Sequence, residues 1–228
     1  ILVENNYFFG NRKANTGGIR IINETQTVNN NYCEGLTGYR FKGALVIMNG
    51  VPNSPINRYF QVIDSKASNN FIINCDYIQL CAGSDEERSA VPINSKVTDN
   101  IFYHEDKADL FTVYDDISGI DFEDNLISKN AKPITATGFS NADLSFKRSD
   151  DGLMIPQGEV AEGKGMQPTE DRATPENTGL DWYPMVEEEI HFGTGTIISV
   201  SVGENALKEA VERSSAGDIL QLEAGDYI

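Results

Sequence analysis

Val3-Glu4-Asn5-Asn6-Tyr7-Phe8 contains a phrase, hydrophobic-x-x-Asn-x-hydrophobic, that the chain keeps repeating. It returns as Val28-Asn31-Cys33, Ala67-Asn70-Ile72, Val97-Asn100-Phe102 and Phe122-Asn125-Ile127. Successive Asn residues lie 25, 39, 30 and 25 positions apart. A self-similar period of about 20 to 50 residues marks a solenoid, whose repeats bury their apolar faces on one another.

The intervals between the Asn residues decide which solenoid. Gly18–Ile22, Ala44–Met48, Ile78–Ala82 and Leu110–Tyr114 are short β-branched or aromatic runs bounded by Gly, Asn, Ser and Asp, which predicts strands. None of these intervals holds a long amphipathic helix. Coils of short strands without helices stack as a parallel β-helix. An Asn at the same bend of each coil can pass its amide hydrogen bond to the next, as side-chain ladders do in stacked strands. It also tolerates the left-handed backbone of a sharp bend. Turn chemistry alone accounts for one such Asn, but not for five in register.

Composition narrows the partners. The 228 residues are 39% hydrophobic and 23% charged, ordinary for a globular protein, and no run reaches the length of a membrane span. The formal charge is -17, from 35 acidic and 18 basic residues. Such a field repels phosphate, which argues against nucleic acid and against an anionic membrane. An anionic ligand therefore needs locally gathered cations.

The three cysteines do not make a disulfide framework. Cys33 takes the inward position held by Phe8, Ile72, Phe102 and Ile127 elsewhere, which makes it a small core hydrophobe. Cys75 and Cys81 are close enough in sequence to approach one another, though nothing requires it. His104 and His191 lack metal-ligand spacing.

Residues 1–148 carry the repeats, and two intervals are lengthened by insertions, Gly50–Phe60 and Gly83–Pro92. Insertions in a solenoid map to one face, often the binding one. Residues 149–195 lose the pattern and read as a linker that packs along the β-helix, with Trp182-Tyr183-Pro184 and the acidic run Glu187–Glu189. From Thr196 a strand at Ile197–Val200, an amphipathic helix over Glu204–Ser214 with Leu207, Ala210 and Val211 on one face, and a second strand at Ile219–Leu222 follow. Residues 196–228 thus read as the cap and first coil of a second β-helix domain. The chain starts at Ile1 within a repeat, without Met, signal peptide or cap, so further coils are expected before it.

Asn5-Asn-Tyr-Phe8, Gly17-Gly-Ile-Arg20, Asn30-Asn-Tyr32, Tyr39-Arg-x-x-Gly-Ala-Leu45 and Ser84-Asp-Glu-Glu-Arg88 resemble polysaccharide lyase family six, the alginate lyases and chondroitinase B. The resemblance covers residues 1–148 well and 196–228 more loosely. It implies right-handed parallel β-helices and cleavage of an acidic polysaccharide by β-elimination. In that chemistry a Lys removes the proton beside the uronate carboxylate, an Arg assists the leaving oxygen, and calcium neutralises the carboxylate. By the family's order these groups stand on coils before Ile1. No catalytic residue and no calcium ligand is assigned within this chain, which alone is expected to be inactive.

What remains in the chain is a groove wall. Arg20 alternates with Ile19 and Ile21 and so projects outward if they point in. Arg40 matches a substrate-contacting Arg of the chondroitinase branch. Arg88 matches one of two adjacent arginines there, and Glu87 replaces the other, which favours a polymer carrying carboxylates only. Arg58 and Tyr59, in the longer insertion, complete the candidate substrate-binding set. Arginine suits a uronate because its planar fork grips a carboxylate bidentately. Against this stands a solvated surface charge, or pairing with Asp85, Glu86 or Glu87, an alternative that weighs most on Arg88. Lys42 reads as a surface lysine and not as the base.

The sequence therefore predicts part of an alginate lyase that acts on guluronate, in a secreted or periplasmic setting. A non-catalytic polysaccharide-binding β-helix or adhesin, and a chondroitin or dermatan sulfate lyase, stay open beside it. So does assembly as a homodimer.

Overall fold

The computed structural model describes residues 1–150, 152–167, 169 and 193–227. It divides into two compact units, Ile1–Asn177 and Thr178–Ile228.

The first unit is a parallel β-helix with three sheets. Sheet A holds Leu2–Glu4, Thr27–Asn29, Lys66–Ser68, Ser95–Thr98 and Ile120–Glu123. Sheet B holds Tyr7–Phe9, Tyr32–Glu34, Phe71–Ile73, Ile101–Tyr103, Asn125–Ser128 and Phe139–Ala142. Sheet C holds Ile19–Ile21, Leu45–Met48, Ile78–Ala82 and Phe111–Val113. The repeated phrase is thus two strands, one in sheet A and one in sheet B, with the Asn at the corner between them.

The register follows the repeat. Val3, Val28, Ala67, Val97 and Phe122 stack in one column, and Phe8, Cys33, Ile72, Phe102 and Ile127 in the next. With Ile21, Leu45, Ile47 and Leu80 of sheet C these residues form one apolar core. Each fully buried Ile, Leu or Phe contributes roughly 1.5–3 kcal/mol over its exposed state.

The corner Asn residues form the expected ladder. The Nδ2 of Asn6 donates to Asn31 Oδ1 at 3.0 Å, and Asn31 to Asn70, Asn70 to Asn100 and Asn100 to Asn125 at 2.9 Å each. The left-handed backbone falls elsewhere than expected. It belongs to the preceding residues Asn5, Asn30, Asn69, Asp99 and Asp124, with φ between 52° and 60°. The preceding residue makes the turn, and the ladder Asn turns inward to bond its neighbours.

The cysteines are all free and buried. Cys33 lies in the core as expected. Cys75 lies against Cys33, its thiol donating to the Cys33 carbonyl at 3.5 Å. Cys81 donates to the carbonyl of Asp116 at 3.2 Å. It is the extra residue where the register with Leu45–Met48 shifts, and its φ is 54°.

A second apolar cluster covers the outer side of sheet B. Tyr32, Phe71, Ile73, Ile101 and Leu126 pack there against Leu144, Leu153, Ala161 and Met166. Ser145–Arg148 and Met154–Gln157 form an antiparallel hairpin over it. Tyr32 pins this hairpin, donating to Glu34 at 2.6 Å and accepting the N–H of Met154 at 3.0 Å. The Trp182–Pro184 and Glu187–Glu189 features and His191 lie outside the described residues.

The second unit pairs Ile197–Val200 with Ile219–Leu222 in parallel, joined through a helix at Ala206–Arg213. Asp218 closes the turn, accepting the N–H groups of Thr196 and Ser215 at 2.8 Å. The expected apolar helix face is only partly covered: Ala210 is buried, while Leu207 and Val211 are exposed.

Candidate functional site

The outer face of sheet C carries the candidate site. Ile19 and Ile21 are buried and Arg20 between them is exposed, so strand alternation turns it outward. Gly18 makes this seating tight: a Cβ there would lie 2.3 Å from the carbonyl oxygen of Ala44 on the next coil. Across the sheet Arg20 stands in register with Val46, then Gln79, then Thr112.

Segment 37–43 folds back over this face. Phe41 packs on Val46, Met48 and Ala82 together with Ile22, a small apolar cluster outside the main core. The N–H of Gly43 donates to Gln79 Oε1 at 3.2 Å, and Gln79 Nε2 donates to the Tyr114 hydroxyl at 2.8 Å. Arg40 and Phe41 both adopt left-handed backbone, with φ of 49° and 68°. Two such non-glycine residues in succession persist only where their surroundings hold them.

The carbonyl of Phe41 accepts a hydrogen bond from Arg20 Nε at 2.9 Å. Among the described residues the two terminal nitrogens of Arg20 have no protein partner, so the open side of its fork faces solvent. Arg40 is exposed and lies 5.5 Å over the ring of Tyr39, again without an ion pair among the described residues. Lys42 is exposed beside them, as a surface lysine should be.

Arg88 reaches the same loop from the second insertion. Its guanidinium lies 5.8 Å from the Phe41 ring centroid and is bonded to Asp85. The hydrogen bond from Arg88 holds the Asp85 carboxyl below its usual pKa. The Nε of Arg88 is buried without a hydrogen bond among the described residues. Gly83 leaves room for this contact, because a Cβ there would meet Met48, Phe41 and Arg88 at 3.0, 3.3 and 3.5 Å.

The two insertions are joined to one another. Gly50 and Ala90 exchange backbone hydrogen bonds at 2.8 and 2.9 Å, and Gln61 Nε2 donates to the Val91 carbonyl at 2.6 Å. Arg58 is ion-paired with Glu87. Tyr59 is half-buried, its carbonyl accepting the N–H of Val51 at 2.7 Å.

Of the five residues read as candidates from sequence, the fold gathers Arg20, Arg40 and Arg88 around Phe41. It engages Arg58 and Arg88 with carboxylates. Phe41, Gln79 and Tyr114 had not been singled out. Their signals were slight: one ring between two cations, and one amide inside an apolar strand.

Two concavities have none of Arg20, Arg40 or Arg88 in their lining. One of about 420 Å³ is lined by Arg12, Glu34 and Arg148, but Arg12 is paired with Asp76 and Arg148 with Glu34. Another, of about 220 Å³, is lined by His104 and Lys107. His104 Nδ1 accepts the N–H groups of Asp106 and Lys107 at 3.1 and 3.2 Å, and burial holds its imidazole below the usual pKa. Among the described residues no three His, Cys, Asp or Glu side chains are gathered as a metal site.

The model of the chondroitinase B family matches residues 1–170. The chain belongs to that family. A solved PL6 family alginate lyase, AlyGC, is similar at 47% identity with a TM-score of 0.74, over 99% of this chain and 31% of its own. A mutant of AlyGC gives the same values. The chain therefore spans about a third of the length of those lyases. A mannuronic acid specific polysaccharide family 6 lyase from human gut microbiota is 23% identical, with a TM-score of 0.52 over 62% of this chain and 33% of its own. That likeness bears on the fold alone. A search of curated proteins returns no match. Among the described residues no helix of this family member is long and apolar enough to cross a membrane.

Proposed function

We propose that this chain is part of an alginate lyase and that the outer face of sheet C binds the polymer through Arg20 and Arg40. The observation that carries the reading is the state of Arg20. Its Nε is held by a main-chain carbonyl, which leaves the charge intact and the outer fork open. A fork so held suits a carboxylate, which it can grip bidentately. In a protein of charge -17, two arginines without carboxylate partners among the described residues make a local attractor for a polyanion.

The same geometry favours a polymer with carboxylates only. Arg88 is engaged by Asp85 and Arg58 by Glu87, so neither offers an unshared charge for sulfate. That supports alginate over chondroitin or dermatan sulfate. Proton transfer is left to residues outside this chain, which spans about a third of the alginate lyases it matches, together with a calcium ion that would neutralise the uronate carboxylate. Within this chain the residues bind and orient the polymer. A guluronate preference and a secreted or periplasmic location belong to the reading as well.

Titration calorimetry of the chain with alginate-derived and chondroitin-sulfate-derived oligosaccharides tests this. The expected result is binding of the uronate oligomer that Arg20→Ala and Arg40→Ala weaken. Equal binding by wild type and both variants, or preference for the sulfated oligomer, overturns it.

A further inference from the structure

We propose that Phe41 is a positioning residue for the cations of the sheet C face, acting through Arg20 and Arg88. This rests on the reading of that face as the polyanion-binding surface. The side chain of Phe41 anchors segment 37–43 to the outer apolar cluster, through Val46, Met48 and Ala82. Its carbonyl fixes the Nε of Arg20 at 2.9 Å, and its ring seats the guanidinium of Arg88 at 5.8 Å. Arg40 precedes it in the chain and shares its left-handed turn. One residue thus sets where two cations stand, by two different means: a main-chain acceptor and an aromatic face.

The physical gain is preorganisation. A free arginine must give up its rotamer freedom when it binds, whereas one already held has lost it on folding. The left-handed φ values of Arg40 and Phe41 show that the bend is held against its own preference. Gly83 supports the same arrangement by leaving the space in which Phe41, Met48 and Arg88 meet. Without the ring, the bend relaxes, the carbonyl leaves Arg20, and Arg88 keeps only Asp85.

The test is calorimetric titration of the full 228-residue chain with an alginate-derived tetrasaccharide, comparing single, double and triple variants. Phe41→Ala is expected to weaken binding roughly fivefold to tenfold, the scale of re-immobilising a long side chain or two. Phe41→Tyr keeps both ring and carbonyl and is expected to stay within about twofold of wild type. In an Arg20→Ala, Arg88→Ala background, Phe41→Ala is expected to change affinity less than about twofold, because the groups it acts through are gone. Should Phe41→Ala fail to fold, Phe41→Leu, which keeps the apolar anchor and lacks the aromatic seat, is expected to weaken binding in the wild-type background and not in the double variant. Wild-type affinity in Phe41→Ala or Phe41→Leu overturns the proposal, as does an equal loss in both backgrounds. Failure of the underlying reading looks different: the wild-type chain then does not bind the tetrasaccharide, or Arg20→Ala binds it unchanged.

Discussion

Asn70 accepts, on its single Oδ1, both the backbone N–H and the side-chain N–H of Asn31, at 3.0 and 2.9 Å. Its own Nδ2 goes to Asn100 Oδ1 and to the carbonyl of Val28, at 2.9 and 3.0 Å. Both residues are buried, with Asn70 only 2% exposed. One amide therefore serves three coils. Replacing Asn70 or Asn100 by Leu leaves backbone groups buried without partners, at about 1–3 kcal/mol for each orphaned group. Asn6 is half-exposed and takes part as donor at the first coil, so Asn6→Leu is expected to cost less. Urea denaturation of the three variants checks the order. Equal midpoints for Asn70→Leu and wild type would remove the ladder from the account of stability.

The arginines are expected to rank by their partners. Arg20→Ala and Arg40→Ala each remove a cation with no carboxylate partner among the described residues and should weaken alginate binding about tenfold or more, the scale of a charge-assisted contact. Arg88→Ala removes a charge that Asp85 already offsets, and Arg58→Ala one that Glu87 offsets. These two should weaken binding less. Affinities of the four variants for one oligosaccharide decide it, with circular dichroism to confirm folding. A loss for Arg58→Ala as large as for Arg20→Ala would move the binding surface onto the insertions.

The thiols are expected to be silent in the native protein. Burial pushes the Cys75 thiol up to about 12, and burial with the charges of Asp115 and Asp116 does the same for Cys81. Burial also lifts Cys33 well above its usual value. The thiolate is the reactive form, so almost none is present near pH 8. A disulfide exchange reagent should find no thiol in the folded chain and all three in denaturant. Rapid native labelling of Cys81 would show that its bulge opens.

Acid should act through Asp76. Burial alone would raise its pKa, but hydrogen bonds from Arg12 and Lys107 outweigh that and hold it below the usual range. A carboxyl whose folded pKa is depressed adds stability above its unfolded pKa of about 4, and that stability is lost as pH falls through the folded value. Wild type and Asp76→Asn are therefore expected to differ in melting temperature at pH 7 and to converge toward pH 2. A gap that stays constant down to pH 2 would count against this linkage.

The β-helix was legible because its signal is periodic. Five Asn residues in step can be seen without knowing any contact, and Val28, Ala67, Val97 and Phe122 fall in one column as their spacing requires. The left-handed residue was legible too, as an Asn or Asp before each ladder Asn, but the bend was credited to the wrong member of the pair. The hairpin at Ser145–Gln157 could not be read, since its register depends on the shape of sheet B and the hydroxyl of Tyr32. The pairing of Arg88 with Asp85, three residues away, was legible as an alternative, whereas the distant arginine pairings were not. Arg12 meets Asp76 and Arg148 meets Glu34 across separations of 64 and 114 residues, distances over which sequence carries no local pattern.

The backbone exchange between Gly50 and Ala90 bears on how such a protein could be re-engineered. Each insertion completes the hydrogen bonding of the other, and Arg58 with Glu87 ties the same pair again. A graft that imports only one of these loops from a relative would leave the other with unmatched main-chain groups and a stray charge. Transplanted together, they keep these mutual contacts.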